Sequence, residues 1–403
     1  MRKPSVLVVL PYGFNERMVN FIEFVVSRML AQNGWRVIGI ARSEQGLPQN
    51  HTVRDIEVHR YKSTLSGLFL VLKIFLRDRP DIVHVHTLRN NRVGIFVSIL
   101  SKLSATPLAF TESGLLHDHY LVADRDDPLQ KPIAYNNFVR RFADIFTSGQ
   151  VLFRFKSYLF HFALSHADAV IFHSHHNLPI AEKLGLKNAH LLPQILDESR
   201  WSDSAHSAHK EEAASAIAGI KEPCALFVGQ IKMRKGWDIL LRSIPHVPKE
   251  IIHTFIMVTS SSARETEDVI ALIDELKVRG RVLFLGQISN ALLRLAFEKS
   301  TLVAVPSRYE GFGLVPLEAF EMKRPVIASR VEAMTDFLVN GKNSYLVPPK
   351  DPIALAKGVV ELARDEELQN RLIAGGLATL EEMRSDANRK KWLEFYNALR
   401  TRL

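Results

Sequence analysis

The chain has 403 residues, 47% of them hydrophobic and 24% charged; this excludes a disordered, collagen-like or disulfide-built protein and predicts two or three domains, each with its own core. The single cysteine, Cys224, excludes an intrachain disulfide and favours a reducing, cytoplasmic compartment. The net charge of +9 is uneven: residues 1–200 hold 24 Lys+Arg against 17 Asp+Glu, or +7, and residues 201–403 hold 28 against 26, or +2, so the first half either meets an anionic partner or carries charge for solubility alone.

The chain opens with Arg2-Lys3 and the apolar stretch Ser5 to Leu10, which imitates a secretory leader but runs straight into Pro11-Tyr12-Gly13 and reads as a first strand. Strands follow at Arg36–Ala41, Ile82–His86, Leu108–Thr111, Ala169–Phe172 and His190–Leu192, with helices at Glu16–Ala31, Leu65–Arg77 and Asn91–Leu103. Apolar runs without strict alternation fit parallel strands covered on both faces. The longest apolar run, Gly67 to Leu76, is broken by Lys73 and is far short of the roughly 20 residues of a membrane-spanning helix. The polar, alanine-rich segment Asp197 to Glu222 marks a domain junction. Beyond it the scheme repeats. Strands are expected at Ala225–Val228, Thr254–Val258, Val282–Leu285, Leu302–Val305 and Val326–Ala328, and helices near Trp237–Ile244, Thr266–Val278, Ala291–Lys299 and Leu317–Met322. A charged amphipathic helix, about 386–403, ends the chain. Two sets of alternating strands and helices predict two parallel, doubly wound α/β domains.

Residues 117–165 interrupt the pattern. Phe138, Phe142, Phe146, Phe153, Phe155 and Phe160 alternate there with Arg140, Arg141, Arg154 and Lys156. Two readings fit: a core helix with its aromatics turned inward, or a surface that meets anionic lipid through rings and cations.

The most informative segment is Pro306-Ser-Arg-Tyr-Glu-Gly-Phe-Gly-Leu-Val-Pro-Leu-Glu318. It follows a strand and opens a helix, the place where doubly wound sheets bind ligands. Gly311 and Gly313 allow close backbone approach, and open N–H groups at the helix start suit phosphate oxygens. Glu310, at the strand end, and Glu318, expected in the first helical turn, can each accept hydrogen bonds from paired hydroxyls; alternatively, Glu310 is a solvated turn residue and Glu318 an acid favoured by the helix dipole. At the same sheet edge, Gly229-Gln230-Ile231-Lys232-Met233-Arg234-Lys235-Gly236 places three cations in one strand–helix loop, enough to neutralise a diphosphate if the loop is more than an exposed basic turn. The histidines His84 and His86 on one strand, and His173, His175 and His176 after another, close no set with Cys, Asp or Glu in zinc spacing, so no metal site is expected.

With these residues in view, the chain resembles glycosyltransferase family 4, whose Glu-x7-Glu motif would be Glu310…Glu318. The resemblance is strongest from Ala225 to Asp351, including Phe284-Leu-Gly-Gln-Ile-Ser and Arg324-Pro-Val-Ile-Ala-Ser. It implies the GT-B architecture: two facing Rossmann-like domains with a cleft between them, an acceptor domain at residues 1–198 onto which the C-terminal helix packs back, and a donor domain at 199–385. It implies a retaining, metal-independent transfer from a nucleotide-diphosphate sugar, with no other cofactor. Glu318 would bind the ribose, Glu310 and the amides of Gly311, Phe312, Gly313 and Leu314 the sugar, Lys235 the diphosphate, and the backbone near Ile288 the base. This sequence departs from the family at several points. Gln230 stands where the family has Arg, with Lys232 or Arg234 placed to supply the charge. Only Gly13 remains of the paired glycines near the N-terminus. Ser113-Gly114 replaces His-Gly, with His117 and His119 just beyond to contact the transferred sugar. Gln194-Ile195 replaces Asn-Gly.

The acceptor suggested by the basic, aromatic first half is a saccharide or lipid-linked molecule of cell-envelope polysaccharide or glycolipid synthesis, at the cytoplasmic face of a membrane. Two other functions keep the fold: a nucleotide-sugar epimerase, and a non-catalytic nucleotide-sugar binder, motivated by Gln230 and Ser113. A nucleic-acid role, raised by the pI of 9.5, finds no compact basic-aromatic module.

Overall fold

The structure is a computed structural model and describes residues 2–10, 14, 21–43, 46–86, 92–112, 141–146, 151–196, 220–259, 263–331 and 333–401. Contacts divide the chain into two units, Met1–Asp197 with Met383–Leu403, and Glu198–Glu382.

In the first unit, β1 (Ser5–Val9) is buried at every position and lies between two parallel neighbours, as an unalternating apolar run requires. The sheet contains β2 (Arg36–Arg42), β3 (Asn50–Val53), β4 (Ile56–Tyr61), β5 (Ile82–His86), β6 (Leu108–Thr111), β7 (Ala169–Phe172) and β8 (Ala189–Leu191) in the order β3-β4-β2-β1-β5-β6-β7-β8. It is parallel except at one edge, where β3 runs antiparallel to β4. That hairpin departs from the all-parallel expectation. Its two-residue turn is Arg54-Asp55, both at positive φ (47° and 70°), in place of the Asn-Gly type of pair that marks such a turn in a sequence.

The helices cover both faces of this sheet. On one side, α2 (Thr64–Asp78), α3 (Arg92–Leu103), α4 (Val151–Ser165) and α5 (Asn177–Lys183) bury Val71, Val97, Phe160 and Ile180 against β1, β5 and β7. Ser63 starts α2 through a reciprocal cap with Ser66. On the other side lie α1 (Ile22–Gln32) and a helix from the far end of the chain. In the stretch 138–160, read either as a core helix or as a lipid-facing surface, a 3-10 turn covers Phe142–Phe146, α4 begins at Val151, and 138–140 and 147–150 lie outside the described residues. Ile145 and Phe160 are buried, whereas Phe142, Phe146 and Phe155 are exposed.

The second unit holds β9 (Cys224–Val228), β10 (Thr254–Val258), β11 (Val282–Leu285), β12 (Leu302–Val305), β13 (Val326–Ser329) and β14 (Tyr345–Val347), all parallel, in the order β11-β10-β9-β12-β13-β14. The order reverses at β9 and β12, the topological switch point at which open α/β sheets bind ligands. Its helices are α6 (Trp237–Ser243), α7 (Ala263–Glu275), α8 (Asn290–Lys299), α9 (Leu314–Glu321), α10 (Pro352–Arg364) and α11 (Glu366–Arg384). The chain then returns to the first unit as α12 (Asp386–Arg400), capped by Ser385. Trp392, Tyr396 and Leu399 recur at helical spacing and are buried. Trp392 donates Nε1–H to the Pro193 carbonyl at 2.9 Å and Arg389 donates to that of Leu196 at 3.0 Å.

Candidate nucleotide-sugar site

Two loops meet at the carboxyl ends of β9 and β12. The first leaves β9 at Gly229, makes a 3-10 turn over Met233–Lys235 and enters α6 through Gly236 at φ +66°. A Cβ on Gly236 would lie 1.9 Å from the Pro306 carbonyl oxygen, so only glycine lets the loops touch. The second leaves β12, carries Ser307 to Gly313, and opens α9. Gly313, at φ +96°, passes beneath Met334; a Cβ there would be 3.1 Å from its Sδ. The loops are fastened by Arg308. It donates to both carboxylate oxygens of Asp238 (2.6 and 2.8 Å) and to the Met233 carbonyl (2.8 Å), while its own N–H reaches the Arg234 carbonyl at 2.8 Å.

This fastening brings Arg234, Lys235, Ser307 and Glu310 together. Lys235 Nζ donates to Glu310 Oε1 at 2.6 Å, Arg234 Nη1 to Oε2 at 2.8 Å, and Ser307 Oγ to Oε1 at 2.8 Å. The Glu310 side chain is only 5% exposed, against 17% for Lys235 and 21% for Arg234. Burial pushes the Glu310 pKa up, but the adjacent Lys235 and Arg234 charges, with hydrogen bonds from Lys235 and Ser307, outweigh it and hold the carboxyl below its usual range. Two cations on one carboxylate leave a net positive charge. It stands beside the start of α9, where the first N–H groups have no acceptor within the helix. The arrangement suits an anion with several oxygens.

The structure therefore brings Arg234, Lys235 and Glu310 together, and places Gly311, Phe312, Gly313 and Leu314 in the adjoining turn, with the Phe312 ring stacked at 4.7 Å on Phe337. Both Glu310 oxygens already accept from cations, so the residue is anchored more tightly than a solvated turn acid. Glu318 is buried as the fifth residue of α9, in the second turn rather than the first. The helix begins three residues earlier than expected because Pro316 at its third position gives up an N–H that has no intrahelical partner there. Gln230 and Lys232 are exposed on the first loop. Ile288 is half-buried before α8 and packs with Leu292. Gly13, Ser113, Gly114, His117 and His119 lie outside the described residues. Ser307, Arg308 and Asp238 are the neighbours in this cluster that sequence reading missed. Arg308 lay in plain view within the motif, but its partner is 70 positions away.

The corresponding edge of the first sheet is different. His84 and His86 on β5 have ring centroids 4.0 Å apart, and His84 bonds Thr111 Oγ1 at 2.7 Å and the Tyr396 hydroxyl. His173, just after β7, bonds the Leu192 carbonyl at 3.0 Å. All three are buried. Burial, with a neighbouring histidine, pushes His84 down to about 3; burial alone pushes His173 down to about 4; burial also lowers His86, so all are neutral at pH 7. Among the described residues no group of three or more His, Cys, Asp or Glu is placed to hold a metal ion.

Residues 210–378 match the family model described as Glycosyl transferases group 1. A D-inositol 3-phosphate glycosyltransferase of Xylanimonas cellulosilytica is 31% identical over 44% of this chain and 42% of its own length, and the lipopolysaccharide core biosynthesis mannosyltransferase LpcC of Rhizobium leguminosarum bv. viciae is 30% identical over 44% and 51%. The chain thus spans about half the length of these relatives. Solved structures extend the likeness to the whole chain: sucrose-phosphate synthase of Thermosynechococcus elongatus, at TM-score 0.74 and 17% identity over 100% of both chains, and Anabaena HepE in complex with UDP and glucose, at 0.72 and 17% over 98% of this chain and 100% of that one. The chain has the GT-B fold, with its two Rossmann-like α/β units.

Proposed function

We propose that the protein transfers a sugar from a nucleoside-diphosphate sugar to an acceptor hydroxyl, with retention of anomeric configuration and without a metal ion. The observation that carries this reading is the Arg234–Lys235–Glu310–Ser307 cluster at the carboxyl ends of β9 and β12, beside the open N–H groups of α9. The group 1 domain match, and UDP in the structurally similar HepE, support it. In this reading Lys235, Arg234 and the turn amides meet the diphosphate, Glu318 the ribose, and Glu310 holds the two cations in place while its rim faces the sugar.

The bond from the sugar's anomeric carbon to the phosphate oxygen breaks, and charge grows on the leaving diphosphate. The two cations stabilise that charge more in the transition state than in the bound donor. The acceptor oxygen bonds the anomeric carbon on the same face, and its proton passes to a diphosphate oxygen, so no protein nucleophile is required. The acceptor in this reading is a saccharide or lipid-linked molecule of cell-envelope polysaccharide or glycolipid synthesis, a class to which the name of the Rhizobium relative points. The anomeric configuration of the product, followed by NMR, tests the reaction: retention is expected, and inversion contradicts it. Isomerised donor in the absence of acceptor points instead to an epimerase.

A further inference from the structure

We infer that the outer face of the helical layer α2–α3–α4 docks onto a membrane surface rich in anionic lipid. In α2, Gly67, Val71, Ile74 and Asp78 are buried against the domain. Leu65, Phe69, Leu72 and Leu76 repeat the same four–three–four spacing on the opposite side and are exposed, Leu76 by 71%. A helix apolar on both faces is at home only where both faces are covered. α3 lies beside α2 and α4 beside α3, all three over the same face of the sheet. On α3, Ile99 and Leu103 are exposed, Leu103 by 79%. Beside α4, the 3-10 turn exposes Phe142 and Phe146, and α4 itself exposes Phe155. Four phenylalanines exposed by 40–65%, at about 200 Å² for a whole aromatic side chain, present roughly 450 Å² of ring before any leucine is counted. With the leucines, that exceeds the apolar patch of an ordinary soluble surface.

Charge selects the occupant. The sequences of α2, α3 and α4 contain six Lys or Arg (Lys73, Arg77, Arg92, Lys102, Arg154, Lys156) and a single carboxylate. That carboxylate is Asp78, which is buried and held by Arg36 and Arg77. Lys62, Lys73, Lys102 and Arg141 are exposed around the apolar stripe. Rings and leucines at headgroup depth, with cations beside them and no exposed carboxylate on the three helices, match an anionic bilayer surface. Among the described residues no helix is long and apolar enough to cross a membrane, so the contact is with one leaflet. The aromatic-basic stretch of the sequence supplies only part of this face; Arg154 gives its Nε–H to the Asp144 carbonyl at 2.7 Å.

This inference goes beyond the transferase reading and does not depend on it. The test is flotation of the full chain with phosphatidylcholine vesicles, with and without phosphatidylglycerol, at low and high salt. Binding is expected only with phosphatidylglycerol and is expected to weaken in high salt. It should fall at least about tenfold in Lys62→Gln/Lys73→Gln/Lys102→Gln and in Phe69→Ser/Leu72→Ser/Leu76→Ser. Both variants change exposed side chains, and an unchanged thermal transition verifies their fold. Equal recovery with neutral and anionic vesicles overturns the inference. So does a dimer in sedimentation, abolished by the serine variant, without vesicle binding. Nucleotide-sugar binding by the same variants should equal that of the parent. A parent chain that floats with anionic vesicles but binds no nucleotide sugar would sink the transferase reading and leave this surface standing.

Discussion

The two sheets end at equivalent edges with opposite chemistry. At the carboxyl ends of β9 and β12, two cations share one buried carboxylate, and the turn before α9 is kept open by glycine. At the carboxyl ends of β5 and β7, three histidines are buried and neutral, and His84 is bonded to Tyr396 of the C-terminal helix. An anion site needs positive charge that stays near the surface, and the two cations on Glu310 remain 17% and 21% exposed. Buried histidines forced neutral supply no charge. The contrast is one of charge: the edge of the second sheet carries it, and the buried histidines of the first do not.

The largest expected effect would break this contrast at its charged end. In the proposed reaction Lys235→Ala removes one oriented donor to the leaving group, and turnover should drop by about 10²–10³, measured as kcat/KM at saturating acceptor. Full activity would remove Lys235 from the site. Acid should sharpen the contrast. A buried base whose folded pKa is depressed keeps its full stabilising effect above the unfolded value of 6.5 and loses it as pH falls toward the folded value. For His84 and His173 the window runs from 6.5 to about 3 and about 4. His86 acts in the same direction. Glu23 opposes them: burial raises its pKa from 4.5 to about 7, so it takes up a proton on folding within that window. His84 and His173 together outweigh Glu23, so the first unit loses stability between pH 6.5 and 5. Glu310, held below the usual carboxylate range, keeps its contribution across this window and loses it only as pH falls below 4.5 toward its folded value. Hydrogen exchange at the two pH values should therefore show protection lost in β5–β7 and kept in β9 and β12. Next in size, Gly236→Ala forces a Cβ against the Pro306 carbonyl at positive φ and should destabilise the second unit by about 2–4 kcal/mol in denaturant unfolding, leaving the first unit's transition in place. The smallest effect belongs to Tyr396→Phe. It deprives His84 of one partner and should cost the first unit about 1–2 kcal/mol with nucleotide-sugar binding unchanged.

Much of the second unit was legible in the residues, because its signals are local. Gly236, Glu310, Gly311 and Gly313 sit where strand, turn and helix succeed one another within a dozen positions, and the apolar runs of β9 to β13 are short and continuous. What could not be read depends on distant pairs. Arg234 and Lys235 are 76 and 75 positions from Glu310, Arg308 is 70 from Asp238, and Tyr396 is 312 from His84. No local pattern marks such partners. The β3–β4 hairpin was hidden by its Arg54-Asp55 turn. In α2 the apolar run predicts a helix too short to span a membrane, but a run of leucines does not reveal which of its faces the sheet takes.

The measurement that bears most directly on the central claim is calorimetric titration of the full chain with a panel of UDP-, GDP- and ADP-sugars, repeated with Lys235→Ala and with Tyr396→Phe. The account predicts saturable binding of at least one donor, weakened about tenfold or more by Lys235→Ala and unaffected by Tyr396→Phe. Binding of the same donor with equal affinity by the parent and Lys235→Ala would contradict it.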